Sequence, residues 1–230
     1  EIENTIKSVL NQDSKDFEYI IIDGKSTDGT LDIINRYKNN IDLIISEKDK
    51  NLYDAINKGI KHANSEYIYL LHSGDKFYTK TIVSDYLELI NKYPKIDLFF
   101  SNMKIKHKNN FSVLKPKPHL LWKNMLLNHP TWLIKKDIFR KYGYYDIKFP
   151  IAADYDFALR VFHNVNYNYL DLISTEFSLD GISYFNEKAI WDSYRVRLKN
   201  KQNIILNYMI LIYEVFLFKI LVIKNKFIRF

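Results

Sequence analysis

Short apolar runs alternate with segments that carry a single apolar stripe through most of the chain. Ile6, Val9 and Leu10 fall at helical spacing, which predicts a helix to about Gln12. Residues 16–23, apolar almost throughout near the end, read as a buried strand of the parallel kind. Leu31, Ile33, Ile34 and Tyr37 form the stripe of a second helix, and residues 41–46 form a second strand. Ala55, Ile56 and Ile60 turn a helix over 53–63 inward, and 66–71 is a third strand. This alternation predicts an α/β fold: a Rossmann-like, mostly parallel sheet with right-handed crossovers, flanked by helices.

The later pattern predicts a helix over 79–92, a strand over 96–100, and an irregular polar stretch over 104–118 that is a mobile loop or an edge hairpin. A helix over 119–127, a short strand over 131–134 and a short helix over 137–142 follow. Phe157, Ala158 and Val161 give a helix over 153–163 its apolar side, and 168–173 reads as a last strand. From Glu187 the chain is helical. The expected division is a domain over 1–185 and a helical C-terminal segment over 186–230. Because Glu1 opens inside a helix, whereas α/β domains more often open on a strand, a further strand is expected ahead of this sequence.

Residues 204–223 are strongly apolar but include Asn207, Glu214 and Lys219, and their length is near that of a membrane span. Lys199 and Lys201 precede them, and Lys224, Lys226 and Arg229 follow. Three readings stay open: a helix lying on anionic lipid, a helix packed on protein, and a span.

Composition narrows the chemistry. The net charge of +7 favours anionic partners such as a nucleotide-sugar, a phospholipid or a glycan. The dense basic stretch at 104–108 is either a solvated face or part of such a surface. No nucleic-acid motif accompanies it, so nucleic acid is not an expected partner. The chain has no Cys, which excludes disulfides and thiolate metal sites and fits a reducing compartment. The expected location is therefore cytoplasmic, peripheral on the inner face of the cell membrane. A Walker A sequence, a Gly-x-Gly-x-x-Gly turn and a Gly-x-Ser-x-Gly elbow are all absent.

Three predicted strand ends carry acids or hydroxyls: Asp23 with Ser26, Glu47 with Asp49, and Ser73 with Asp75. In an open α/β sheet such ends converge on one ligand crevice. Acids gathered in a basic protein are explained by a divalent cation, Mg²⁺ or Mn²⁺, bridging to a diphosphate. Asp75 would hold that cation, although Ser73-Gly74-Asp75 also reads as a plain turn. Asp23 could accept hydrogen bonds from a ribose or base edge. Asp154 and Asp156 open a helix, where acids also serve as caps. Of the two, Asp154 is the candidate general base. His129, before Pro130, should lie close by, with a core role as the alternative.

Five motifs in order carry a resemblance: Thr5 to Gln12 (Thr-Ile-Lys-Ser-Val-Leu-Asn-Gln); Ile21 to Thr30, with Asp23-Gly24-Lys25-Ser26; Ser46 to Gly59, with Asn51-Leu52-Tyr53-Asp54; Leu71-His72-Ser73-Gly74-Asp75; and His129-Pro130 with Ile151 to Asp156. Over about residues 1–180 the chain resembles the family-2 glycosyltransferases of GT-A fold, within them the colanic-acid and capsule-type branch of bacterial surface-polysaccharide enzymes. The resemblance implies a metal-dependent, inverting transfer of a hexosyl or N-acetylhexosaminyl group. The donor would be a nucleotide-diphosphate sugar, usually a UDP-sugar, and the acceptor a hydroxyl of a surface glycan or lipid-linked glycan. By the same resemblance Asp23 and Ser26 hold the donor, Asp75 binds the metal as the last acid of an Asp-x-Asp-type motif, and Asp154 is the catalytic base. His129 lies on the acceptor side, and Asp54 and Asn57 lie on a donor-facing helix. Gly74 departs from the pattern, since many relatives carry another acid there. The alternative is a non-catalytic nucleotide- or glycan-binding module that keeps the fold.

Overall fold

The computed structural model describes residues 1–106, 110–178 and 187–227. His107 and Lys108 of the basic stretch, residues 179–186 of the region after Leu172, and Arg229 lie outside them. The described residues form strands β1 (Ile20–Asp23), β2 (Leu43–Ser46), β3 (Tyr67–Tyr69), β4 (Lys76–Phe77), β5 (Leu98–Lys106), β6 (Phe111–Leu114), β7 (Leu133–Lys135) and β8 (Tyr167–Phe177). The helices are α1 (Ile2–Leu10), α2 (Thr30–Arg36), α3 (Leu52–His62), α4 (Ile82–Lys92), α5 (Lys136–Tyr142), α6 (Ala153–Val161), α7 (Glu187–Lys199) and α8 (Ile204–Phe227).

The expected α/β layering is present, with more mixed strand pairing than the alternation implied. β1 and β2 pair in parallel as a separate two-stranded sheet, with Asp23 opposite Ser46. The larger sheet runs β3-β7-β5-β8-β4, with β6 added on β5. There only β5 and β8 are parallel, while β3–β7, β5–β7, β4–β8 and β5–β6 are antiparallel. The cause lies after residue 100. The end of β5 pairs antiparallel with β6, Met103–Lys106 against Phe111–Leu114, and the chain returns between β3 and β5 as β7 without a crossover helix. The helix expected over 119–127 is a short 3-10 turn at Pro118–Leu120 followed by irregular chain. Its backbone is used elsewhere: Lys117 N–H donates to Leu126 O at 2.6 Å, and Lys123 O accepts from Arg197 at 2.7 Å.

Burial follows strand alternation. Leu98, Phe100 and Ile134 point to one face of the large sheet, where Phe139, Phe157 and Val161 of α5 and α6 close the main core. Phe99, Leu133 and Leu170 point to the other face and meet Ile82 and Tyr86 of α4. Ile6, Ile21, Ile34 and Ile41 join α1, β1 and α2 in a third cluster. β1 has only β2, and β3 only β7, as strand partners among the described residues. A cavity of about 1320 Å³ takes Ile20 and Ile22 of β1 and Ile68 and Leu70 at β3 into its walls.

Polar residues of α1 and of the turn just after it fix the segment after β3. Thr5 Oγ1 accepts from Gly74 N–H at 2.9 Å, and Ser8 Oγ accepts from Phe77 N–H at 3.3 Å. The Gln12 amide donates to Thr79 O at 2.8 Å and accepts from Val83 N–H at 3.1 Å. Gly74 has φ +100°, and a Cβ there would stand 3.1 Å from the Ser178 Cβ. Glycine is required at this turn for conformation and for space.

The C-terminal helices are held by a buried cation. α7 puts Val196 into the main core, and Arg197 beside it is wholly buried. The Arg197 guanidinium donates to Asn207 Oδ1 at 2.6 Å, to Lys123 O at 2.7 Å and to Glu214 Oε2 at 3.1 Å. These bonds tie α8 to α7 and to the loop after Leu120. Removing one member of a buried ion pair strands the other charge, which costs about 3–5 kcal/mol. Arg197→Ala is therefore expected to lose about that much unfolding free energy in urea titrations.

Candidate active site

Asp23 ends β1 on the buried side of the alternation and is 5% exposed. Its carboxylate accepts from Ser46 Oγ at 2.6 Å and from Ser26 N–H at 3.1 Å. Burial pushes the carboxyl up, but the Ser26 and Ser46 hydrogen bonds and nearby amides outweigh it and hold it below its ordinary value. Asp23 is thus ionised and rigidly aimed, with Ser26 supplying an amide to it. Beside this turn Lys58 of α3 bridges Glu47 at 2.7 Å and Asp49 at 2.6 Å. That neutralises the second strand-end acid pair and raises the ammonium's pKa.

The two α3 residues expected to face a donor are used within the fold. Asn51 caps the helix by accepting from Asp54 N–H at 3.1 Å, and Asp54 accepts in turn from Lys50 N–H at 3.0 Å. Asn57 is buried and clamps the Tyr145 backbone, donating to its carbonyl at 2.9 Å and accepting from its N–H at 3.1 Å. These contacts give Asp54 and Asn57 a structural part and lend no support to donor binding.

Asp75, His72, His129 and Asp154 all line the one cavity, together with Tyr53. Asp23 and Ser26 stand outside its lining, at the end of the neighbouring β1. Asp75 follows the β3 strand end in a turn closed by its own N–H to His72 O at 3.0 Å. The side chain is 2% exposed; Oδ1 accepts from Ser178 N–H at 2.9 Å, while buried Oδ2 has no hydrogen-bond partner among the described residues. Burial pushes the carboxyl up to about 7. Among the described residues no group of three His, Cys, Asp or Glu converges as a cation site. The orphaned oxygen fits a cation that takes one carboxylate from the protein and its remaining ligands from phosphate and water.

Asp154 lies in the first turn of α6, with Oδ1 accepting from Tyr53 OH at 3.0 Å and from Tyr155 N–H at 2.8 Å. Burial raises its pKa, and the Tyr53 bond works against that rise. Asp156, two residues on, is wholly buried in ion pairs with Arg160 and Lys199, both at 2.9 Å, and so belongs to the framework. His129 Nε2 sits 2.8 Å from Tyr145 OH, with its ring against Trp132. The His72 ring lies 6.5 Å away, centroid to centroid. Burial holds both imidazoles down, to about 4, so both are neutral at pH 7.

Tyr53, His72 and Tyr145 were not identified as site residues from the sequence. Tyr53 had a readable signal: it precedes Ile56 by three and Ile60 by seven, on the buried stripe of α3, and a buried phenol needs a partner. His72 adjoins the strand-end turn. Tyr145 follows a Gly-Tyr turn and carries no local signal.

Chains of known structure share this fold. Over 91% of this chain and 65% of that one, Staphylococcus aureus TarS (residues 1–349, in complex with UDP) superposes with a TM-score of 0.69 at 18% identity. The Pyrobaculum calidifontis mannosyltransferase PcManGT, in complex with GDP-Man and Mn²⁺, covers the same shares with a TM-score of 0.65 at 13% identity. A PGL/p-HBAD biosynthesis glycosyltransferase of Mycobacterium bovis is 28% identical over 163 residues, 69% of this chain and 63% of the relative. The chain thus spans less than two thirds of the length of the curated relatives it matches first. Residues 1–163, which hold Asp75 and Asp154, the strand-end acids and all five motifs, match the profile of glycosyl transferase family 2, and the chain belongs to that family.

Proposed function

We propose that the protein is an inverting glycosyltransferase that moves a sugar from a nucleotide-diphosphate donor, a UDP-sugar, to a hydroxyl of a surface-glycan or lipid-linked acceptor. The carrying observation is one cavity lined both by Asp75, with its unanswered carboxylate oxygen, and by Asp154, a carboxylate held by a phenol. TarS in complex with UDP and PcManGT in complex with GDP-Man and Mn²⁺ support a nucleotide-sugar donor and a cation. The motif resemblance supports the surface-polysaccharide branch. Residues 1–185 serve as the transferase domain and 186–230 as a helical segment at the inner face of the cell membrane.

The residues divide the work as follows. Asp23 accepts hydrogen bonds from the nucleoside, held ionised by Ser26 and Ser46. Asp75 would hold Mn²⁺ or Mg²⁺ through Oδ2. When bound, that cation supplies Lewis-acid stabilisation of the diphosphate leaving group. Asp154 takes the proton from the acceptor hydroxyl as its oxygen bonds to the anomeric carbon. The bond from that carbon to the diphosphate breaks in line, and the nucleoside diphosphate leaves with the electron pair. Burial raises the proton affinity of Asp154 and so strengthens it as a base. His72 and His129, neutral, can exchange hydrogen bonds with sugar hydroxyls without adding charge. A non-catalytic binding module is the second reading, favoured by the lack of a second acid at Gly74.

UDP with Mn²⁺ is expected to raise the melting temperature, equivalent to about 2.7 kcal/mol at a hundredfold excess over Kd. Asp75→Asn should remove the Mn²⁺-dependent part of that shift; an unchanged shift takes Asp75 out of the cation site. Asp154→Asn should keep UDP binding but lose about 10²–10⁴-fold in turnover, and retained turnover removes Asp154 as base. Tyr53 stabilises the ionised form of Asp154, so Tyr53→Phe raises the carboxyl pKa further. The base must be ionised to act, so the acid limb of kcat/KM should move to higher pH in Tyr53→Phe. A limb that stays in place would separate Tyr53 from the base.

A further inference from the structure

α8 is polar on the inside and apolar on the outside. Asn207, Ile210 and Leu211 are buried against the domain, and Glu214 shares their stripe, three, four and seven residues on. Asn207 and Glu214 are answered there by Arg197, and Glu214 Oε1 also accepts from Asn124 at 3.2 Å. On the opposite side Ile205 is 70% exposed, Met209 62%, Ile212 54% and Phe216 60%. Their spacing of four, three and four makes one continuous ridge. A helix in water shows the reverse polarity, so the outer face is built for an apolar medium.

Charge selects the medium. From Lys201 to the end, the basic residues are Lys201, Lys219, Lys224, Lys226 and Arg229, and the one acid is Glu214, which is turned inward on Arg197. Exposed Lys201 ahead of the ridge and exposed Lys219 after it favour an anionic surface and disfavour a second copy carrying the same charges. Trp122 is 42% exposed in the loop beside the helix, and the neighbouring Lys123 ammonium lies 4.9 Å from the Tyr213 ring. Aromatic rings with adjacent lysines suit the headgroup level of a bilayer.

The same contacts decide between lying on the bilayer and crossing it. Ile204–Val222 is long and apolar enough to span, with 17% of it buried. A span needs apolar surroundings along all its sides. Here the inner stripe through residue 214 is bonded to the domain, and entry into hydrocarbon would break the Arg197–Asn207 and Arg197–Glu214 contacts.

We propose that the outer face of α8 docks in the plane of an anionic phospholipid leaflet and that the helix does not cross the bilayer. Asn124 and Glu214, on the inner side of this contact, line the same cavity as Asp154. Docking therefore sets the cavity beside the membrane surface, which deepens, and rests on, the reading of a lipid-linked acceptor.

The full chain is to be sedimented with phosphatidylcholine vesicles, with and without phosphatidylglycerol, beside the exposed-ridge variant Ile205→Glu/Phe216→Glu. The native chain should pellet with anionic vesicles, less so as salt rises, and alkaline carbonate should release it. The variant should bind at least tenfold more weakly while keeping its melting temperature. A native chain that stays in the supernatant, or a variant that pellets equally, overturns the proposal. So does a chain that resists carbonate, which is a span, and a vesicle-indifferent dimer that the variant dissolves, which is a second copy. UDP binding, measured in parallel, tests the transferase reading by itself: its absence in the native chain would sink that reading and leave the vesicle result standing.

Discussion

A carboxylate taken out of water needs partners, and Asp75 is given only part of its complement. One oxygen is met by the Ser178 amide and the other by no group among the described residues. Left so, the group gives up its charge more readily than an ordinary acid, as its raised pKa records. The surrounding structure nevertheless holds it in place. Thr5 and Ser8 of α1 and Gln12 just after it hydrogen-bond the following segment at four points, and the turn at Gly74 has a backbone that only glycine takes without strain. Organisation of this kind around an incomplete polar site has a cost that the fold recovers elsewhere, in the three apolar clusters that flank the sheets.

Asp154 is treated differently. It lines the same cavity but is only partly buried, and a phenol and an amide answer it; burial still raises its pKa against those bonds. The pair of carboxylates is set apart by environment, one short of ligands and one hydrogen-bonded. Such divergence is how a site assigns two acids to two tasks. The two imidazoles that line the same cavity are kept neutral by burial, which avoids adding a positive charge where a cation is expected.

Much of this was legible in the chain. Period-two and period-3.6 patterns located β1, β2, β3, α1, α3 and α6 within a few residues, because each buries one face against a neighbour. The strand-end acids followed from the same pattern. What was not legible was non-local. Whether β7 runs parallel or antiparallel depends on how the chain turns back after β6, and no periodicity records that. The contacts that Asp54 and Asn57 make within the fold, to Lys50 N–H close by and to Tyr145 far along the chain, are likewise recorded by no periodicity. Hydropathy found α8 as apolar but not as inside-out, since that polarity exists only relative to Arg197.

The turn at Gly74 also bears on how the proposed cation site could be engineered. Its φ is +100°, and a side chain placed there would begin 3.1 Å from the Ser178 Cβ. An acid introduced at 74 would strain the turn that aims Asp75. Added carboxylate ligands are therefore better sought at positions other than 74.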